Sequence, residues 1–143
     1  MKKLCQQAEK IMTERFGKDT VIALATAESG MPSARYVNAY YENGAFYLIT
    51  HALSNKMRQI ARNPAVALAG EWFTAHGKAS NLGYFGSEAN RSVAQKLKIA
   101  FAAWIENGHN DFSDENTIIL CIELTDGLLL SHGTRYEFEG GCA

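Results

Sequence analysis

Between Arg35 and Lys56 the sequence gathers two cations, Arg35 and Lys56, and two hydroxyls, Thr50 and Ser54. Those residue types suit an anion, and a phosphate above all. Ser54-Asn55-Lys56 reads as the opening of a helix, whose first turn offers unpaired backbone N–H groups and about half a positive charge. Lys56 and Arg35 add full charges, and Thr50 and Ser54 add hydroxyl donors. Hydrogen bonds to a charged group contribute roughly 1.5–3 kcal/mol each, so three or four could anchor a phosphate against the entropy of binding. Taken singly the residues have plainer readings. Ser54 is an N-cap, Arg35 is a surface strand residue, and Arg58 and Arg62, four apart, are either a solvated face or further anion contacts. His51 follows Thr50 at the same corner and belongs with the residues to test.

The elements around this segment decide whether its residues can meet. Tyr36, Val37, Tyr40 and Tyr41 favour a strand over 33–41. Asn43-Gly44 is a two-residue hairpin signal, and its partner strand runs Ala45 to Thr50. Before them, Val21 to Ala25 suits a strand buried on both faces, with a turn at Glu28 to Pro32. After them, Met57, Ile60 and Ala61 form the buried stripe of a helix that Asn63-Pro64 ends. The result is an antiparallel meander that leads into a helix.

Elsewhere, Leu4, Ala8, Ile11, Met12 and Phe16 follow the helical period over 3–16, and Gly17 stands at the C′ position. Val66 to Trp72 reads as a fourth strand that continues through Gly77 towards Leu82. A long helix is expected over 87–107, on Val93, Leu97, Ala100, Phe101, Trp104 and Ile105. Strands return at Thr117–Leu124, Gly127–His132 and Arg135–Phe138, separated by Asp126-Gly127 and Gly133-Thr134. About six short strands with tight turns make the fold class mainly β: a small antiparallel barrel with helices packed outside. No glycine-rich strand-to-helix turn of the dinucleotide-binding type is present.

At 143 residues the chain fits one domain, 1–143, with a core of its own. A formal charge of −1 gives no global field towards nucleic acid or membranes. Three cysteines, Cys5, Cys121 and Cys142, are an odd count without metal-ligand spacing, so neither a disulfide framework nor a metal site is expected. The basic start lacks an apolar stretch behind it, and no run approaches the roughly 18 apolar residues of a membrane span. The chain reads as cytoplasmic.

Five pieces of sequence stand in one order at close spacing: Val21 to Thr26, Gly30-Met31-Pro32-Ser33-Ala34-Arg35, Ala45 to Thr50, Ser54-Asn55-Lys56, and Asn63-Pro64-Ala65-Val66. Together they resemble the pyridoxamine 5′-phosphate oxidase-like split-barrel flavoproteins, especially the short general-stress-protein type, over about residues 8–138. His76-Gly77-Lys78-Ala79 and Thr117 to Phe138 resemble later landmarks of that family. The resemblance implies a six-stranded antiparallel split β-barrel with flanking helices, and a homodimer with FMN at the subunit interface. By matching positions, Arg35 and Lys56 would hold the phosphate, with Thr50, His51, Ser54 and Asn55 at the same corner. Tyr36, Val37 and Asn38 would lie along the flavin. Residues of the partner chain would complete the pocket, with Trp72 and His76 as further candidates.

The tail Ser131-His132-Gly133-Thr134-Arg135-Tyr136 lacks the arginine–histidine substrate motif of the oxidase itself, so pyridoxamine phosphate oxidation is not implied. What is implied is an FMN-dependent oxidoreductase acting on a small molecule, with NAD(P)H as a possible donor. The alternatives are a non-enzymatic flavin-binding stress or storage protein, a haem-binding split barrel using His51, His76 or His132, and a deazaflavin in place of FMN. Flavin carries the redox chemistry itself, so few catalytic side chains are needed, and the sequence assigns none.

Overall fold

The computed structural model describes residues 4–139, so Cys142 and the expected helix start at Lys3 lie outside the described residues. The first helix, α1 (Gln6–Phe16), buries Ala8, Ile11, Met12 and Phe16, as its period requires. Its N-cap is unusual: the Cys5 Sγ accepts the Ala8 N–H at 3.4 Å. Gly17 ends the helix at φ −77°, outside the left-handed region. The reason for glycine is space, since a Cβ there would stand 2.4 Å from the Thr13 carbonyl oxygen.

Strands β1 (Thr20–Glu28), β2 (Met31–Glu42) and β3 (Ala45–His51) form the expected meander. Its two turns, Ser29-Gly30 and Asn43-Gly44, carry positive φ at both residues, 53° and 79° in the first and 47° and 84° in the second. That pattern matches the right-handed twist of the flanking strands. Helix α2 (Asn55–Arg62) follows, then β4 (Ala65–Gly70) and β5 (Phe73–Tyr84). A single 3₁₀ turn (Glu88–Asn90) leads into α3 (Arg91–Ala100), and β6 (Thr117–Ser131) and β7 (Thr134–Phe138) complete the chain.

The sheet order is β3-β2-β1-β4-β5-β6-β7, all antiparallel. A further pairing of β3 with β6 closes the first six strands into a barrel and leaves β7 outside it. Phe16, Phe46 and Phe73 meet in the barrel interior, with ring centroids 5.3–6.0 Å apart. A second apolar cluster lies on the outer face of β3 and β6, where Leu97, Phe101 and Ile105 cover Tyr47, Ile49 and Ile119. Among the described residues no helix is long and apolar enough to cross a membrane.

Three elements differ from the sequence expectation. The fourth strand is a hairpin, with β4 and β5 turning at Glu71-Trp72, where Trp72 takes φ 52°. Gly70 precedes this turn, but neither of its two turn residues is a glycine or an asparagine. Arg15 holds it from α1, its guanidinium donating to the carbonyls of Glu71 at 2.8 Å and Leu130 at 3.1 Å. Asp126-Gly127 is not a turn but part of the long β6, which is bulged opposite His76/Gly77. Gly127 serves close packing, since a Cβ there would stand 2.6 Å from the Phe138 ring. The long helix is shorter than its apolar period suggests: α3 stops at Ala100, and looser turns carry Phe101, Trp104 and Ile105 onto the second cluster.

Gly77 sits at the bulge, and a Cβ there would stand 2.6 Å from the Ile122 side chain and 2.9 Å from the Glu123 carbonyl oxygen. Gly77→Ala is therefore expected to destabilise the fold by about 1–3 kcal/mol, the usual range for overpacking. A lower denaturant midpoint at unchanged m-value would show it.

Candidate functional site

On β2 the residues Ser33, Arg35, Val37, Ala39 and Tyr41 alternate towards the barrel interior. Arg35 reaches the end of the barrel that α2 covers. Its Nη1 donates to the Thr26 hydroxyl at 2.9 Å and to the Leu24 carbonyl at 3.2 Å, and its Nη2 donates to Gln59 Oε1 at 3.4 Å. The Thr26 hydroxyl donates to the same Gln59 oxygen, and the Gln59 amide donates to Ser33 Oγ at 3.5 Å. Thr26 and Gln59 are both buried, and this network satisfies them.

Lys56 stands on the first turn of α2, and its Nζ donates to the Thr50 hydroxyl at the end of β3. Burial pushes its ammonium below the ordinary lysine range, and the neighbouring Arg35 charge pushes it further. Burial alone lowers Arg35 from its usual value. Among the described residues neither cation forms an ion pair with a carboxylate. Two like charges, partly stripped of water and close enough to repel, raise the energy of the empty site and favour an incoming anion.

The other residues singled out by sequence fall into place around this pair. Ser54 is the N-cap of α2, its Oγ accepting the Met57 N–H at 3.4 Å, and Asn55 is exposed beside it. Val37 and Asn38 line a cleft of about 350 Å³ together with Leu48, Ile49 and Lys56. Tyr36 faces out of the barrel and is 81% exposed. His51 follows Thr50 on the strand and so projects to the opposite face, where its Nε2 meets Asp114 Oδ2 at 3.0 Å. The Asn116 backbone N–H, and after it His51, hold the Asp114 carboxyl below its ordinary range. Arg58 and Arg62 both pair with Glu28, at 3.3 and 3.1 Å. Trp72 lies at the β4–β5 turn and His76 on β5 pairs with Asp126 at 2.8 Å; neither lines the Lys56 cleft of this chain.

Sequence reasoning missed the other wall of the cleft, which Trp104, Asn107, His109 and Asn110 provide from the segment after α3. Asp19 fastens that segment to β2, accepting from Asn38 Nδ2 at 3.0 Å and from Trp104 Nε1 at 2.9 Å. No local pattern marks a contact between residues 19 and 104. Thr26 and Gln59 were also missed. Gln59 carried a weak signal, because it lies three residues after Lys56 on the buried side of a short helix.

The depressed Lys56 gives a stability prediction with a definite sign. Its folded-state value lies below the unfolded one, so the charged form destabilises the fold at neutral pH. That effect is full below the folded value and vanishes above the unfolded one. Lys56→Met is expected to raise the melting temperature of the ligand-free protein at pH 7. The difference from the parent should shrink as pH rises past about 10, the ordinary lysine range.

Residues 8–126 match the family described as pyridoxamine 5'-phosphate oxidase. No curated protein sequence matches the chain. Several solved structures do. General Stress Protein 26 from Bacillus anthracis shares 18% identity at a TM-score of 0.61, over 83% of this chain and 90% of that one. A protein titled FAD-binding from Mesorhizobium loti shares 18% identity at a TM-score of 0.61, over 82% and 90%. A protein titled heme binding from Mycobacterium smegmatis shares 17% identity at a TM-score of 0.67, over 94% of this chain and 58% of that one. At these identities the likeness is one of fold. With most of its length inside the family match and its six barrel strands in place, the chain belongs to the pyridoxamine 5'-phosphate oxidase family.

Proposed function

We propose that this chain binds a flavin, FMN in the first instance. The phosphate lies between Arg35 and Lys56 and the ring along Val37 and Asn38. The carrying observation is the pair of neighbouring, partly buried cations that lack a carboxylate partner among the described residues; of the two, Lys56 lines a cleft of about 350 Å³. A cleft of that size falls within the range of cofactor sites. Thr50 and Ser54 supply hydroxyls, and the first turn of α2 supplies N–H groups and the positive end of its dipole. Bound flavin would supply hydride and electron transfer, and the chain would hold and orient it. On this reading the protein is a cytoplasmic FMN-dependent oxidoreductase with a small organic substrate and a nicotinamide donor.

The relatives titled FAD-binding and heme binding make the cofactor a matter for direct test. His51, His76 and His132, the histidines considered for haem, each have a polar partner, Asp114, Asp126 and Ser131, outside the cleft, while His109 stands in its wall. Flavin fluorescence is expected to quench on titration with micromolar protein. A Soret band, or no quenching at all, would overturn the reading. Reduction of bound flavin by NADH or NADPH separates an enzyme from a storage protein. Arg35→Ala and Lys56→Ala should each weaken FMN by about 1.5–3 kcal/mol, a ten- to hundredfold loss.

The reading includes a homodimer. Ala34 and Tyr36 on β2, Val21, Ala23 and Ala25 on β1, and Ala67 and Ala69 on β4 share one outward sheet face. Val21 is 56% exposed and Tyr36 81%. A sheet face of small apolar residues without a charge suits a partner surface better than water. Sedimentation should give twice the 15.7 kDa chain mass. Ala23→Arg, placed in the middle of that face, should give monomers and should weaken flavin binding if the partner completes the pocket.

A further inference from the structure

The far wall of the cleft, Trp104 to Asn110, is attached at its two ends. At one end Phe101 and Ile105 are buried in the second apolar cluster, and the Trp104 ring stacks on Phe101 with centroids 4.7 Å apart. At the other, the Thr117 hydroxyl donates to the Asp111 carbonyl at 2.7 Å, and His51 meets Asp114 at 3.0 Å. Between these ends the hydrogen bonds among the described residues are local. The Asn107 N–H donates to the Trp104 carbonyl at 3.0 Å, and the His109 N–H to Asn107 Oδ1 at 3.3 Å. One residue ties this wall to the β2 side of the cleft. Asp19, directly before β1, accepts from Trp104 Nε1 at 2.9 Å with one carboxylate oxygen and from Asn38 Nδ2 at 3.0 Å with the other. Both donors belong to residues that line the cleft, one on each side, and Asp19 itself does not line it. Among the described ion pairs Asp19 has no cation partner, so its charge is met by these two neutral donors. A carboxylate can only accept and an indole N–H can only donate. The Asn38 amide nitrogen must therefore face Asp19, which leaves the amide oxygen as the polar atom it can offer to the cleft.

We infer that Asp19 is a positioning residue for this cleft: it latches the Trp104–Asn110 wall to β2 and so fixes the spacing in which a ligand lies. The inference rests on the flavin reading for what the cleft holds, and extends it to how that ligand is retained. Asp19 acts through Trp104 and Asn38 rather than by touching the ligand. With the latch intact the wall stands in place before a ligand arrives. Without it the wall must be ordered on binding, and it frees the ligand sooner.

The test has two arms. In a Trp72→Phe background Trp104 is the sole tryptophan. There Asp19→Ala is expected to increase the acrylamide quenching of Trp104 emission in the ligand-free protein. In the second arm, stopped-flow recovery of flavin fluorescence reads FMN release. Asp19→Ala and Trp104→Phe should each speed release about tenfold, the effect of one hydrogen bond to a charged group. The double variant should release FMN no faster than Asp19→Ala, because both changes remove the same bond. Trp104→Phe keeps a ring against Phe101, so it carries the kinetic arm even if Asp19→Ala fails to fold. Unchanged quenching, additive effects in the double variant, or a Trp104→Phe variant that releases FMN at the parent rate would overturn the inference and leave FMN binding intact. If the parent binds no FMN, the flavin reading falls, and the quenching arm alone decides the latch.

Discussion

The pairing of β3 with β6 is the constraint on which the rest depends. It runs from Ala45 opposite Glu123 to His51 opposite Thr117 without a break, and the Ala52 N–H extends it to the Asn116 carbonyl at 2.7 Å. Closure removes the free edges that an open sheet would expose. It also fixes where β3 ends, and with it where α2 must begin. Because only Ala52 to Ser54 separate the two, the first turn of α2 is held over the end of the barrel that Arg35 reaches from β2. Thr50 is the last inward residue before the turn and Lys56 the second of the helix, so their contact follows from the closure.

That geometry places a destabilising pair at a position the fold cannot avoid. Arg35 is tied down by Leu24, Thr26 and Gln59, and Lys56 by Thr50, but none of those partners carries a negative charge. Neutral partners satisfy hydrogen bonds without offsetting the repulsion between the Arg35 guanidinium and the Lys56 ammonium. Several other cations do have carboxylate partners: Lys96 with Glu42, Arg135 with Glu137, and Arg58 and Arg62 with Glu28. The inner pair combines partial burial with close like charge and no carboxylate partner among the described residues, which is the pattern expected of a ligand site.

What could be read from sequence was local. The Asn43-Gly44 hairpin was legible because two successive positive φ values leave few residue choices. The α2 boundaries were legible because Ser54 caps one end and Pro64 blocks the other. The convergence of Arg35, Thr50 and Lys56 was legible because one hairpin and one helix suffice to bring them together. Sequence proximity groups His51 with Thr50 at the phosphate corner, although neighbours on a strand face opposite ways, and the structure turns it towards Asp114 while Thr50 faces the interior. The Glu71-Trp72 turn, the continuity of β6 through Asp126-Gly127 and the Asp19 bridge to Trp104 depend on partners distant in sequence. Local signals at Asp126-Gly127 even pointed the wrong way.

The division between legible and hidden parts follows a division of labour in the site. The inner cations sit where closure puts them, and moving either would mean remaking the β2–β3 hairpin or the start of α2. The far wall of the cleft, from Trp104 to Asn110, hangs on one carboxylate, Asp19, and on packing of the looser turns after α3. Arg58 at the middle of α2 and Arg62 at its end contact only Glu28 among the described ion pairs. Both regions can change without disturbing the β3–β6 pairing. On the proposed reading, Arg35 and Lys56 would hold one anionic group and the wall of the cleft would meet the rest of the ligand. This is how one fold can serve relatives with different ligands.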